Sequence, residues 1–364
     1  MNEASQPIFS HVGTRSVSPL PAVYAGQMGR ETSFYAGRLR RELALRNRSW
    51  ARGRLHVESY GAEPVVVYAP EITADGGPSG GMPRHGNFFD TAYTAILTRP
   101  EWMRRFSKVH AQAADSLPKP LGETLRRWRE LDSSMSSDAL LMNVFCTPGV
   151  LESAALRNAL GVDPAAAPEF GWKARVPLKR GLADRTEVDL RLGSLLIEAK
   201  LTESDFQTRK AEIVEAYKDF DAVFDRESLP RVEIPLGRRK QAVEFPEDYS
   251  QEYEPIVEEA FSIPPARIPA IAVAPGYASY QLIRNVLAAH AQACSFCVLH
   301  DERRPDLREA WFQVMAAVKN AELRVRLKVL TWQELAAFLP AGLQEFLDVK
   351  YGIVAPGRNA SPVD

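Results

Sequence analysis

Two periods of apolar residues run along this chain, and the places where one gives way to the other divide it into elements. The period is two across Thr186 to Leu192 and Leu195 to Leu201, with Val188, Leu190, Leu192, Leu195, Ile197 and Ala199 set between polar neighbours. That pattern predicts two strands. Strands are also expected at His56 to Tyr68 and Gly171 to Leu178, and helices at Ser33 to Arg48, Phe88 to Ala113, Leu121 to Leu131 and Val150 to Leu160. Ser136 and Ser137 ahead of Asp138-Ala-Leu-Leu-Met-Asn-Val-Phe predict an N-capped helix. A long helix is expected over Ser204 to Phe220. The last third then alternates: strand Ile268 to Val273, helix Tyr280 to His290, strand Ser295 to His300, helix Leu307 to Ala321, strand Val325 to Leu330, helix Trp332 to Leu339. A mixed α/β layer fold follows.

The two strands can be placed in register. Gly193-Ser194 between alternating runs predicts a two-residue hairpin loop, so partners across it sum to 387, the sum of 193 and 194. Leu192 then faces Leu195, Leu190 faces Ile197, Asp189 faces Glu198 and Glu187 faces Lys200. One face collects Val188, Leu190, Leu192, Leu195, Ile197 and Ala199; the other collects Glu187, Asp189, Arg191, Leu196, Glu198 and Lys200. Opposed carboxylates on neighbouring strands repel by a few tenths to about 1 kcal/mol. A hard divalent cation such as Mg²⁺ would offset that, with Lys200 beside it. The competing reading is a solvated charged face with a Glu187–Lys200 ion pair, and spacing alone does not separate the two.

Composition narrows the class. The 364 residues are 45% hydrophobic and 25% charged, enough for a sizeable core, and no run approaches the roughly 18 apolar residues of a membrane span. The N-terminus has no signal-peptide pattern, and three cysteines give no disulfide framework, so a cytoplasmic location is expected. A net charge of -1 advertises no nucleic-acid partner, but seven arginines fall between Arg38 and Arg54, and Arg238, Arg239 and Lys240 form a second cluster. The first cluster is either a solvated helix face or a phosphate-contacting one. His290, Cys294, Cys297 and His300 have zinc-like spacing, yet strand alternation would turn Cys294 and Cys297 to opposite faces, so buried thiols are expected. Gln281, Arg284 and Asn285 share a helix face by their spacing, as substrate contacts or as a structural polar network.

Asp189 followed by Glu198-Ala199-Lys200 resembles the Asp…(Asp/Glu)-x-Lys motif of the PD-(D/E)XK nucleases. Val188 stands where that motif usually has proline. Further pieces resemble a bacterial branch of restriction-endonuclease-like proteins: His85-Gly-Asn-Phe-Phe with Trp102 and Lys108, Ser136-Ser137, Ile197 to Glu203 with Phe206, and Tyr280 to Asn285. The resemblance implies a restriction-endonuclease-like α/β core over 136–350, behind a mainly helical region at 31–135, with flexible ends at 1–30 and 351–364. It implies a Mg²⁺-dependent nuclease, Mn²⁺ substituting, acting on DNA with RNA not excluded. Asp189, Glu198 and Lys200 would be catalytic, with a further acidic ligand from the first core helix, Glu152 or its rival Glu169. Other outcomes it leaves open are an inactive nucleic-acid-binding module on a nuclease fold, a homodimer and a partner protein.

Overall fold

The computed structural model describes residues 23–59, 65–71, 83–108, 129–185, 187–236 and 273–358. The expectations that fall on 1–22, 60–64, 109–128, 268–272 and 359–364, and the Arg238–Lys240 cluster, lie outside the described residues.

In chain order the helices are α1 Val23–Trp50, α2 Asp90–Leu97, α3 Pro100–Met103, α4 Ser137–Phe145, α5 Ala154–Leu160, α6 Ala211–Val214 and α7 Phe220–Val223. They continue with α8 Tyr280–Ala291, α9 Pro305–Ala316, α10 Ala321–Arg324, α11 Trp332–Ala336 and α12 Ala341–Tyr351. The strands are β1 His56–Ser59, β2 Val65–Tyr68, β3 Pro70–Glu71, β4 Arg84–His85, β5 Pro168–Lys173, β6 Val176–Pro177 and β7 Ala183–Asp184. After them come β8 Glu187–Leu192, β9 Leu195–Ala199, β10 Arg209–Lys210, β11 Arg231–Pro235, β12 Val273–Tyr277, β13 Ser295–His300 and β14 Leu327–Thr331.

A five-stranded mixed sheet in the order β14-β13-β9-β8-β5 runs through the centre. Strand β13 is parallel to both β9 and β14, while β8 is antiparallel to β9 and β5. On one face Leu190, Leu192, Leu195, Ile197, Ala199 and Leu299 pack against apolar residues of α1, α4, α11 and α12. On the other, Leu196, Phe296 and Val298 pack against α8 and α9. The mixed α/β class expected from the alternation is the one the chain adopts.

The hairpin pairs Leu192 with Leu195, Arg191 with Leu196 and Leu190 with Ile197, and Gly193 takes φ +55° at the turn. Beyond Leu190 the two strands part. Asp189 no longer pairs through its backbone; its Oδ2 accepts the Ala199 N–H at 2.9 Å instead. Val188 joins the second apolar cluster rather than the first. Gly171, at φ +63° between the Phe170–Leu190 and Trp172–Val188 pairs, stands opposite Asp189 in an unbroken register, and a Cβ there would collide with the Arg105 guanidinium.

Several boundaries differ from expectation. The helix expected over Ser204 to Phe220 is broken, because Gln207 turns at φ +63°, Arg209 and Lys210 pair with β12, and Tyr217 bridges to Leu178. Pro100 divides the helix expected from Phe88. Residues 31–135 carry short strands β1 to β4 beside their helices. The last helix, α12, was not read from the pattern, and Ile353 and Ala355 beyond it are buried rather than part of a loose tail.

Candidate active site

Glu198 sits on the penultimate position of β9 at only 1% exposure, and Lys200 follows the strand at 5%. That observation answers the solvated-face reading: this end of the hairpin is inside the protein. The expected Glu187–Lys200 pair does not form, since the strands diverge before reaching it. Glu187 bonds Arg105 at 3.0 Å, and Lys200 Nζ bonds Glu198 Oε1 at 2.8 Å. The other oxygen of Glu198 accepts from Asn285 Nδ2 at 2.7 Å. Both carboxylate oxygens are therefore held, one by a cation and one by an amide.

Burial works against the Lys200 ammonium, but the negative charges of Glu198, Glu203 and Asp189 outweigh it and raise its pKa. It stays charged at neutral pH. Its Nζ lies 5.6 Å from the Phe206 ring centroid, which adds a cation–π contact on the side away from the carboxylates. Asp189 behaves oppositely. The residue is half-buried with its carboxyl turned inward, and burial first, then the charges of Glu198 and Asp138, push its pKa well above the ordinary carboxylate range.

Asp138 brings in α4. Ser136 caps that helix by accepting the Ala139 N–H at 3.1 Å, which places Asp138 in its first turn, aimed past the sheet edge. Arg105 Nη2 bonds Asp138 while its Nη1 bonds Glu187, and Lys108 stands 3.4 Å from Asp138 and 2.8 Å from Glu130. Neighbouring groups fix this arrangement. Asn143, one turn further along α4, accepts the Phe89 N–H at 2.6 Å and donates to the Asn87 carbonyl, while His85 Nε2 meets Asp132 at 3.2 Å. Ser137 Oγ donates to Glu203, whose second oxygen caps the Leu201 N–H at 2.7 Å. Arg304, fully buried, donates to the carbonyls of Glu203 at 2.8 Å and Ser204 at 3.1 Å, clamping the loop that leaves Lys200.

The structure thus gathers Asp189, Glu198 and Lys200. It does not bring Glu152 to them. Helix α4 ends at Phe145, Gly149 takes φ +85°, residues 150–152 turn, and α5 starts only at Ala154 behind the Ser153 cap, leaving Glu152 exposed on a separate cleft with Arg99, Trp102 and Arg157. Glu169 is exposed on β5 and faces Arg191 at 3.5 Å. The helix-borne acid beside Asp189 is Asp138, which the sequence reading passed over because an acid after a serine cap reads as dipole complement. Its burial, at 6% exposure, is the signal the sequence did not carry.

The three residues of α8 divide. Arg284 and Asn285 are buried: Arg284 donates to the Asn285 side-chain oxygen at 2.9 Å and to the Glu187 carbonyl at 3.0 Å, and Asn285 to Glu198. Gln281, one turn earlier, is half-exposed and its side chain makes no hydrogen bond among the described residues. Cys294 and Cys297 fall in clusters on opposite sheet faces, and burial raises both thiols, Cys297 to about 12.

Residues 44–352 match a family model described as Restriction Endonuclease associating with ARP. The chain belongs to that family. No curated protein and no solved structure matches it. The matched span begins within α1 and ends at the cap of α12, so it encloses every residue of the cluster. No described helix is long and apolar enough to cross a membrane.

Proposed function

We propose that the chain is a metal-dependent nuclease of the PD-(D/E)XK type on a restriction-endonuclease-like core, hydrolysing phosphodiester bonds in DNA. The observation that carries this reading is a buried, charged Lys200 bonded to a buried Glu198, beside an Asp189 whose carboxyl resists ionisation. An arrangement of three acids at one sheet end is costly on its own, and natural proteins keep such costs at functional sites.

The donor chemistry fits a hard divalent cation. Asp189 and Glu198 offer carboxylate oxygens, and the field that raises the Asp189 pKa is one a cation would relieve. Among the described residues no group of three or more His, Cys, Asp or Glu side chains is gathered as a ready cage. Two carboxylates would therefore hold Mg²⁺, with Asp138 near enough to add charge but tied to Arg105. When bound, the ion supplies an activated water and a positive charge on the phosphate.

The chain's own groups do the rest. Lys200, fixed by Glu198 and unable to lose its proton at neutral pH, would present a stationary positive charge to a phosphate oxygen as negative charge builds there. Asn285 keeps Glu198 turned toward it. Gln281 is the α8 side chain left available to the substrate. The family's name associates such enzymes with ARP, and a partner protein of that kind belongs to this proposal.

Purified protein incubated with supercoiled and linear DNA should cleave with Mg²⁺ or Mn²⁺ and not with Ca²⁺ or EDTA. Lys200→Ala should lower the rate about 100-fold or more while DNA binding measured in Ca²⁺ is unchanged. Cleavage at the parental rate by Lys200→Ala would sink the reading. RNA cut in preference to DNA would change the substrate and leave the centre standing.

A further inference from the structure

Arg105 is a buried cation that the chemistry proposed above does not use. It lies in the 3-10 turn Arg104–Ser107 behind α3, and its neighbour Phe106 packs against the rings of His85, Phe88 and Tyr93 at 6.2, 5.4 and 6.1 Å. The turn is therefore fixed. The Arg105 guanidinium fills the space that a side chain on Gly171 would take. Gly171 stands opposite Asp189 in the β5–β8 register, and residues opposed on paired strands project to the same side of a sheet. A positive charge is thus built in on the Asp189 side of the sheet end.

What this charge holds decides its role. Nη1 donates to Glu187 Oε2 at 3.0 Å, Nη2 donates to Asp138 Oδ2, and Lys108 Nζ stands 3.4 Å from that same Asp138 oxygen. Asp138 Oδ1 makes no hydrogen bond among the described residues. The buried acid of α4, whose charge bears on Asp189, therefore keeps a free oxygen while two cations neutralise it through the other. A divalent ion approaching Asp189 meets those two positive charges and an acid already occupied. In a partly buried setting like charges a few ångströms apart repel strongly.

We infer that Arg105 is a resident competitor of the divalent cation: while it holds Asp138 it weakens metal binding at Asp189 and Glu198, and Asp138 joins the centre only when the guanidinium lets go. This rests on the nuclease reading. Arginine suits the task because its planar donors bridge two carboxylates at once and its charge does not titrate. A bridge that only braced the fold would have the opposite effect, since loosening it would scatter the acids and weaken metal binding.

The test measures Mn²⁺ binding to the full chain by titration calorimetry, without DNA, so that cleavage plays no part. Arg105→Gln keeps an amide for Glu187, removes the charge, and should bind Mn²⁺ about 10-fold more tightly than the parent. Arg105→Lys keeps the charge and should stay within about 2-fold of the parent. Arg105→Gln/Asp138→Asn should lose the gain. Lys108 is half-exposed, so Lys108→Gln should fold even if Arg105→Gln does not, and should tighten binding about 3-fold, the smaller effect of a more solvated charge. Unchanged or weaker binding by the folded variants would overturn the inference while leaving the nuclease reading intact. A gain that survives Asp138→Asn would overturn it too, because the competition is for that carboxylate. Absence of Mn²⁺ binding by the parent and by every variant would overturn the nuclease reading itself, and the inference with it.

Discussion

Asp189 is a residue whose ionised form the fold tolerates poorly. Its carboxyl titrates well above the ordinary range because of burial and the charges of Glu198 and Asp138. The folded pKa is thus raised above the unfolded one. Stability from the protonated form is complete below the unfolded pKa and is lost as pH rises through the folded pKa. Asp189→Asn removes the charge but keeps an oxygen for the Ala199 N–H. In urea denaturation without metal it should be more stable than the parent near pH 8, by on the order of 1 kcal/mol or more, with the difference closing toward pH 4. It should also fail to cut DNA. Equal stability at every pH would mean that the carboxyl is not strained. Lys200 shows the opposite balance, since three carboxylates outweigh its burial and keep the ammonium charged at neutral pH.

At the scale of elements, the join between the end of α3 and the start of α4 depends on one side chain. Arg105 is buried and spans Asp138 on α4 and Glu187 on β8. Arg105→Ala would leave Asp138 buried with only Lys108 nearby, and should cost about 3 kcal/mol in chemical denaturation. Adding Asp138→Ala should recover part of that loss; a purely additive double variant would argue that the two do not couple. How far the elements were legible follows the same logic. The β8–β9 hairpin was readable because its period, its Gly193-Ser194 turn and its apolar face agree, and it brought Asp189, Glu198 and Lys200 with it. What lay between elements was not. Residues 150–152 form a turn and the Ser153 cap starts α5 only at Ala154, so Glu152 stays off the helix and exposed, and the polypeptide after Lys200 follows contacts with β12 and Arg304 instead of its own helical pattern. Arg284 and Asn285 read from the sequence as one polar face, but only packing could show that Asn285 bonds Glu198 from within and that Arg284 bonds Asn285.

Across the whole molecule, α1 and α12 close the chain on itself. Arg46 donates to the Asp348 carbonyl at 3.1 Å, Asn47 to the Lys350 carbonyl at 3.3 Å, and Lys350 Nζ returns a bond to the Asn47 side chain. Lys350 is completely buried between the rings of Tyr68 and Tyr351, at 4.6 and 4.7 Å, without a carboxylate partner among the described residues. Burial, with a smaller contribution from Arg54, drives its pKa well below the ordinary lysine value. A depressed folded pKa gives stability that is present above the unfolded pKa and is lost as pH falls. Lys350→Met should therefore stabilise the protein at pH 7 by about 1 kcal/mol, the gain vanishing near pH 10, because Tyr68 still donates to the Asn47 oxygen at 3.0 Å. A loss of stability at both pH values would show that the amine is needed as a donor. The sheet order has a further meaning in time. Glu198 waits for Asn285, 87 residues later in the chain, and β9 waits for β13. At ribosomal speeds that interval lasts about 4–17 s. During it the nascent chain holds the acids of the hairpin without the asparagine that bonds Glu198, so this buried cluster closes only as the last third of the chain folds.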